Sequence, residues 1–273
     1  MNNKTLTLLA LAALSAGTLS ARGEYDEIAR LQAMNERVQG IRSMADGEHY
    51  TTLENNDIRR YAYATASEGV SLLPSPAPNL AISDYAFSPD ERMILIASGR
   101  TPIYRHSYTT QYHLLADGRI RPVLQEAEAP RDASFSPDGR KIAYSDRNDL
   151  YVWDIATGKT QRITDDGAWN AVINGTTDWV YEEEFGTTRA YAFSPDGGQL
   201  AFLRFDESEV PLMEMMRFDG KLYNEAYSFK YPKAGERNSV VQLWIADLET
   251  GAKERIDTGP ELSLIHISEP TRH

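Results

Sequence analysis

The sequence predicts an all-β fold, a β-propeller with four-stranded blades, and two internal repeats carry that prediction. The first is a tetrapeptide. Phe87-Ser88-Pro89-Asp90, Phe135-Ser136-Pro137-Asp138 and Phe193-Ser194-Pro195-Asp196 are identical and lie 48 and 58 residues apart. Each is followed by a charged or Gly-rich turn and then an apolar strand: Met93–Ala97, Lys141–Tyr144 and Gln199–Leu203. A buried aromatic ends one strand, Ser-Pro-Asp makes the turn, and the chain returns antiparallel. The second repeat lies downstream, where Leu150-Tyr151-Val152-Trp153-Asp154-Ile155-Ala156-Thr157-Gly158 resembles Leu243-Trp244-Ile245-Ala246-Asp247-Leu248-Glu249-Thr250-Gly251. Each copy runs into a charged strand, Gln161–Thr164 or Glu254–Asp257, which adds a second hairpin to the unit. Units of about 40–50 residues with four strands are the signature of propeller blades. A helical solenoid would show a 3.6-residue period in each unit, and these segments do not. The 15 Tyr and 10% aromatic content suit a β-rich chain.

Taken in order, Met1–Ala21 reads as a secretory signal. Lys4 gives a positive start, Leu6–Leu14 an apolar run, and Ser15–Ala21 a small-residue stretch suited to cleavage. An uncleaved anchor is the competing reading, but the apolar run falls short of the roughly 20 residues that span a bilayer. Export would place the mature protein in a periplasm or outside the cell, with no stable membrane span. Residues 22–39 form a leader with a short N-terminal helix over Glu24–Val38, since Ile28, Leu31, Met34 and Val38 share one helical face. A partial propeller of about four blades is expected over residues 40–261: a degenerate first blade at Gly40–Leu73, then blades opening near Ile82, Arg131 and Ala190. The longer second spacing leaves room for an insertion between blades, and it contains Asp178–Phe185.

A net charge of −12 argues against nucleic acid and anionic membranes as partners, because both need basic patches. The absence of cysteine excludes disulfides, thiolate metal sites and a cysteine nucleophile. Five scattered His show no ligand spacing, so no metal or other cofactor is expected. No Gly-x-Ser-x-Gly elbow occurs, and so no catalytic residue is assigned within this chain.

The segment Asp178-Trp179-Val180-Tyr181-Glu182-Glu183-Glu184-Phe185 sets three carboxylates among aromatic residues. Acidic runs normally lie in solvated loops. The flanking aromatics point instead to partial burial, which is costly for unpaired carboxylates and suits a site completed by a cation such as an α-ammonium group. On a strand, Glu183 and Glu184 would face opposite ways. Convergence on one ligand requires a short helical turn. From residue types alone, a solvated acidic turn between two strands is an equal reading.

This string resembles the substrate-amine motif of the dipeptidyl peptidase IV branch of the prolyl oligopeptidase family of serine peptidases. Arg105-His106-Ser107-Tyr108, Glu209-Val210-Pro211-Leu212 and Tyr231-Pro232-Lys233-Ala234-Gly235 resemble the same family, in matching order and approximate spacing. The likeness runs from about Val38 to Ile256. It implies that Glu183 and Glu184 bind the free N-terminus of a peptide substrate and that Arg105 binds a substrate carbonyl and steadies the glutamate pair. A guanidinium can pair with carboxylates and still donate to a carbonyl. The resemblance further implies an eight-bladed propeller, followed by an α/β-hydrolase domain that holds the catalytic triad. It implies release of Xaa-Pro or Xaa-Ala dipeptides, and it admits a homodimer of the full-length enzyme. Residues 262–273 depart from the family pattern, and Leu262–Arg272 resembles a translated transposon-end sequencing adapter. They are therefore read as a non-native tail on a truncated chain, and the fragment alone is expected to be inactive. The alternative is a non-catalytic periplasmic propeller of the TolB or WD type acting as a protein-binding scaffold. The tetrapeptide repeats support it equally well, and the acidic insertion separates the two.

Overall fold

The computed structural model describes residues 39–65, 68–75, 79–218 and 220–259. The signal at 1–21, the helix expected over Glu24–Val38 and the tail at 262–273 lie outside the described residues.

The described chain forms four antiparallel blade sheets and a separate two-stranded hairpin, and in the first three blades sequence neighbours pair. Blade 1 holds β1 (Gln39–Ser43), β2 (His49–Glu54), β3 (Asp57–Ala62) and β4 (Val70–Ser71). Blade 2 holds β5 (Ile82–Phe87), β6 (Ile94–Pro102), β7 (Tyr108–Ala116) and β8 (Arg119–Val123). In blade 3 come β9 (Pro130–Phe135), β10 (Lys141–Asp146), β11 (Asp149–Asp154) and β12 (Thr160–Arg162). The fourth sheet is more elaborate. Its first strand is in two pieces, β13 (Val172–Asn174) and β14 (Tyr191–Phe193), and both pair with β15 (Gln199–Asp206). Between those pieces lies the helix α1 (Trp179–Phe185). Between β15 and the next strand a separate hairpin extends as an arm, β16 (Leu212–Arg217) and β17 (Glu225–Lys230). Strands β18 (Val240–Asp247) and β19 (Lys253–Ile256) complete the sheet.

Two expected boundaries move. Blade 1 has all four strands, although the outermost is only two residues long. Blade 4 opens at Val172 rather than near Ala190, so the acidic segment interrupts a strand instead of lying between blades. The reason is the length of β15. Its Phe202 pairs with Tyr191, but Arg204–Asp206 extend the ladder and are taken up by Asn174–Val172.

The repeated tetrapeptide folds the same way three times. Ser136 Oγ donates to Asp138 Oδ1 (2.5 Å) and accepts from the Lys141 N–H (2.9 Å). Ser88 and Ser194 make the same pair of bonds, to Asp90 and Met93 and to Asp196 and Gln199. The hydroxyl thus closes the hairpin and orients the aspartate that caps the turn. In the second repeat Asp154 and Asp247 each accept from the backbone and hydroxyl of a threonine three residues on.

Hydrophobic layers join consecutive blades. Ile58 and Leu73 of blade 1 pack with Tyr85, Ile94, Ile96 and Leu115 of blade 2. Leu95, Tyr112 and Leu114 meet Ile142, Tyr144 and Trp153 of blade 3. Ala143, Leu150 and Val152 then meet Leu200, Phe202 and Ala246 of blade 4. The inner-strand tyrosines add polar ties. Tyr85 Oη donates to Gly40 O (2.5 Å) and Tyr191 Oη to Ala143 O (2.8 Å), each reaching the blade before its own.

Candidate functional site

Helix α1 is short and is held from several sides. At its start Asp178 Oδ1 accepts from the Tyr181 N–H (3.0 Å), an N-cap bond, and Asp178 Oδ2 accepts from Ser239 Oγ (2.6 Å) at the root of β18. At its end Gly186 takes a left-handed conformation (φ 64°) and returns its N–H to Glu182 O. Tyr181 meets the ring of Phe205 edge-on at 4.8 Å. Trp179 packs on Tyr231 at 4.4 Å and is linked through Phe229 to Tyr104. The helical turn that convergence of carboxylates demanded is therefore present.

The three glutamates then part ways. Glu182 is fully buried, and its Oε1 accepts the N–H groups of His106 and Ser107, each at 2.8 Å, from the turn between β6 and β7. Its Oε2 has no hydrogen-bond partner among the described residues. Glu183 is half-buried and pairs with Arg105 Nε at 2.9 Å. Glu184 is exposed on the next step of the helix. The structure thus joins Arg105 and Glu183, predicted together from sequence, and leaves Glu184 beside them at the surface. Glu182 was not singled out as a functional residue, although its spacing of four from Asp178 places both on the inward helix face.

Exposure separates the two contacts to the 105–107 turn. Arg105 is 74% exposed at its side chain and Glu183 14%, so the ion pair is open to solvent on its guanidinium side. A hydrogen bond to a charged acceptor contributes roughly 1.5–3 kcal/mol, and Glu182 accepts two. The buried Glu182 carboxylate therefore anchors the turn alongside the salt bridge.

Behind the helix lies further acidic charge. Burial raises the Asp178 carboxyl above its ordinary range, against the opposing bonds from Ser239 and Tyr181. Glu207, just past β15, is buried and is pushed up to about 7, first by desolvation and then by the negative charge of Asp178, with Lys230 opposing. The Tyr104 hydroxyl is raised as well, by burial and then by Glu207 and Glu182. This side of the site therefore resists further negative charge.

A cavity of about 230 Å³ adjoins the turn, with His106, Ser107, Asp84, Asp132 and Arg189 in its wall. A larger one of about 710 Å³ lies along β6–β8 around Ser98, Thr110 and His113, and holds none of the α1 carboxylates. Among the described residues no three His, Asp or Glu are grouped to hold a metal ion.

Antiparallel four-stranded blades with a carboxylate-bearing helix let into one inner strand define a propeller-type fold. Residues 88–266 match the family described as "Dipeptidyl peptidase IV (DPP IV) N-terminal region", and the chain belongs to that family. The matched range enters the stretch read above as a non-native tail. The chain is 38% identical over 182 residues to dipeptidyl peptidase 4 of Trichophyton rubrum, covering 63% of this chain and 23% of that protein. It is 35% identical over 215 residues to dipeptidyl peptidase 4 of Sus scrofa, covering 76% and 28%. The crystal structure of Porphyromonas gingivalis dipeptidyl peptidase 4 superposes with a TM-score of 0.75 at 37% identity, over 81% of this chain and 33% of that one. The chain spans about a quarter of the length of the curated relatives it matches.

Proposed function

We propose that this region is the substrate-gating part of an exported, dipeptidyl peptidase IV-like serine exopeptidase that releases Xaa-Pro or Xaa-Ala dipeptides. Glu183 and Glu184 hold the free α-ammonium group of the peptide, and Arg105 donates to a peptide carbonyl while balancing the glutamates. Catalysis belongs to an α/β-hydrolase domain outside these 273 residues, and the chain alone is inactive. The observation that carries this reading is the Arg105–Glu183 contact at 2.9 Å, made at the surface with Glu184 adjacent. A guanidinium held there neutralises one carboxylate and keeps free donors for a carbonyl, and the second carboxylate remains available for an amine.

The test is made in the full-length enzyme. Glu183→Gln with Glu184→Gln should lower kcat/KM for Gly-Pro-anilide by about 100-fold or more, since two charge-assisted bonds of roughly 1.5–3 kcal/mol each are lost. Unchanged activity would sink the amine assignment and favour the scaffold reading. The same proposal includes a homodimer. The arm exposes Leu212, Met215, Met216, Phe218, Leu222 and Tyr223, more apolar surface than a solvated hairpin needs. A monomer by light scattering at micromolar concentration would count against it.

A further inference from the structure

We infer that Glu182 is a positioning residue for the site, one that fixes the 105–107 backbone against α1 and so sets where Arg105 presents its guanidinium. The inference rests on the proposed role of Arg105 and Glu183 in peptide binding.

Three observations carry it. Glu182 Oε1 receives two consecutive backbone donors, His106 N and Ser107 N, both at 2.8 Å. Consecutive amides converging on one oxygen fix the peptide plane that follows Arg105, and with it the direction in which the Arg105 side chain leaves the backbone. Glu182 is fully buried, whereas the Arg105 side chain is mostly in water, so the clamp is sheltered from competing solvent and the ion pair is sheltered only on its Glu183 side. The contact also joins two separate blades: Glu182 rides on the segment within the first strand of blade 4, and residues 106–107 belong to the β6–β7 turn of blade 2. It adds a buried polar tie between the residues that follow Arg105 and the helix that carries Glu183, beside the ring contacts that run from Tyr104 through Phe229 to Trp179.

The remaining oxygen makes the role testable. Because Oε2 receives no donor among the described residues, a glutamine can keep its carbonyl on the two amides and place its NH2 where Oε2 stood. An aspartate keeps the charge but is one methylene too short to reach both. A positioning role therefore ranks the variants by reach, and an electrostatic role toward the peptide amine ranks them by charge.

The experiment compares Glu182→Gln, Glu182→Asp and Glu182→Ala in the full-length enzyme. It measures hydrogen exchange of peptides spanning residues 105–108 and KM and kcat on Gly-Pro-anilide. Expected is exchange at 106–107 close to wild type in the Gln variant and at least about tenfold faster in Asp and Ala, with KM within about threefold for Gln and raised about tenfold or more for Asp. If Asp behaves as wild type and Gln as Ala, charge is what matters and the proposal is overturned. It is overturned equally if exchange at 105–108 is the same in all variants. Should the Ala variant fail to fold, the Gln–Asp pair still decides. The exchange result does not depend on the amine assignment, which stands or falls with Glu183→Gln and Glu184→Gln. Faster exchange in the Asp variant alongside unimpaired amine selection in those two would keep the clamp and discard the ligand reading.

Discussion

Blades 3 and 4 share the tetrapeptide turn and the threonine-capped outer hairpin, yet their inner strands differ by a whole functional segment. In blade 3, Asp132 and Ala133 together oppose Tyr144, a one-residue bulge between the pairs Ser134–Ala143 and Arg131–Ser145. Asp132 lies in the left-handed region (φ 54°) and is tied down by Arg131 and Thr188. In blade 4 the interruption opposes Leu203. Ala190 O accepts its N–H and Gly175 N donates to its carbonyl, so one residue closes both ends of the inserted loop. Gly175 is left-handed too (φ 73°), and so is Gly40 (φ 63°) at the corresponding bulge of blade 1. A bulge is already a break in the ladder and a preferred place to re-aim the chain. Lengthening it adds closure entropy that grows only slowly with loop size. The comparison teaches that the acidic helix of blade 4 occupies an enlarged bulge, opposite a second strand lengthened from six residues in β10 to eight in β15.

The sharpest way to test the contrast is through a buried acid at the end of the second strand in blade 3 and one just past it in blade 4. In blade 3, Asp146 accepts the Ala129 N–H at 2.8 Å. In blade 4, Glu207, the residue after β15, is buried and is pushed from 4.5 to about 7 by burial and by Asp178. Below pH 4.5 folded and unfolded chains both hold that proton, and there is no penalty. As pH rises to about 7 the folded form keeps it while the unfolded form loses it, so stability falls, and above that the loss is complete at about 3 kcal/mol. Glu207→Gln should remove this slope, matching wild type near pH 4.5 and exceeding it by about 3 kcal/mol at pH 8 in denaturant titrations. Equal pH profiles would show that Glu207 is better compensated than its surroundings indicate.

Next in size is the hinge of the insertion. A Cβ at Gly175 would lie 2.7 Å from Leu150 Cδ1 at a positive φ. Gly175→Ala should cost about 2 kcal/mol of stability, through backbone strain and a displaced core leucine. A neutral result by thermal melting would mean the inserted loop can re-enter the strand another way.

The smallest effect concerns the shared turn. Ser136 is fully buried and Ser194 is not. Ser136→Ala should therefore cost about 1–2 kcal/mol and Ser194→Ala less, because only the first leaves polar groups stranded away from water. Equal losses would place the value of the motif in the turn itself.

Much of this was legible in the sequence. The tetrapeptides marked hairpins because Ser and Asp side chains satisfy the turn locally, without help from distant residues. The Leu150 and Leu243 repeats marked β11 and β18 for the same reason. A helical turn over Asp178–Phe185 was one of two equal readings of its residue types, and the pairing of Arg105 with Glu183 came from resemblance to a family. What could not be read depends on contacts remote in the chain. Three neighbouring glutamates are alike in sequence, and only the β6–β7 turn, some 75 residues away, makes Glu182 the buried one. The three residues of β13 are too few to show a period, so the split inner strand emerged only with its partner β15.

The aromatic rings between α1 and the arm give the molecule an optical property. Trp179 packs at a tilt against Phe229 of the arm and against Tyr231 just past it, and Trp169 lies 6.4 Å from Tyr104 at the other end of the same ring cluster. Any displacement of the hairpin lets solvent reach the indole beside the glutamates. The fluorescence of Trp179, separated from that of the other three tryptophans by substituting them, therefore reports with no attached dye whether the arm still covers the helix.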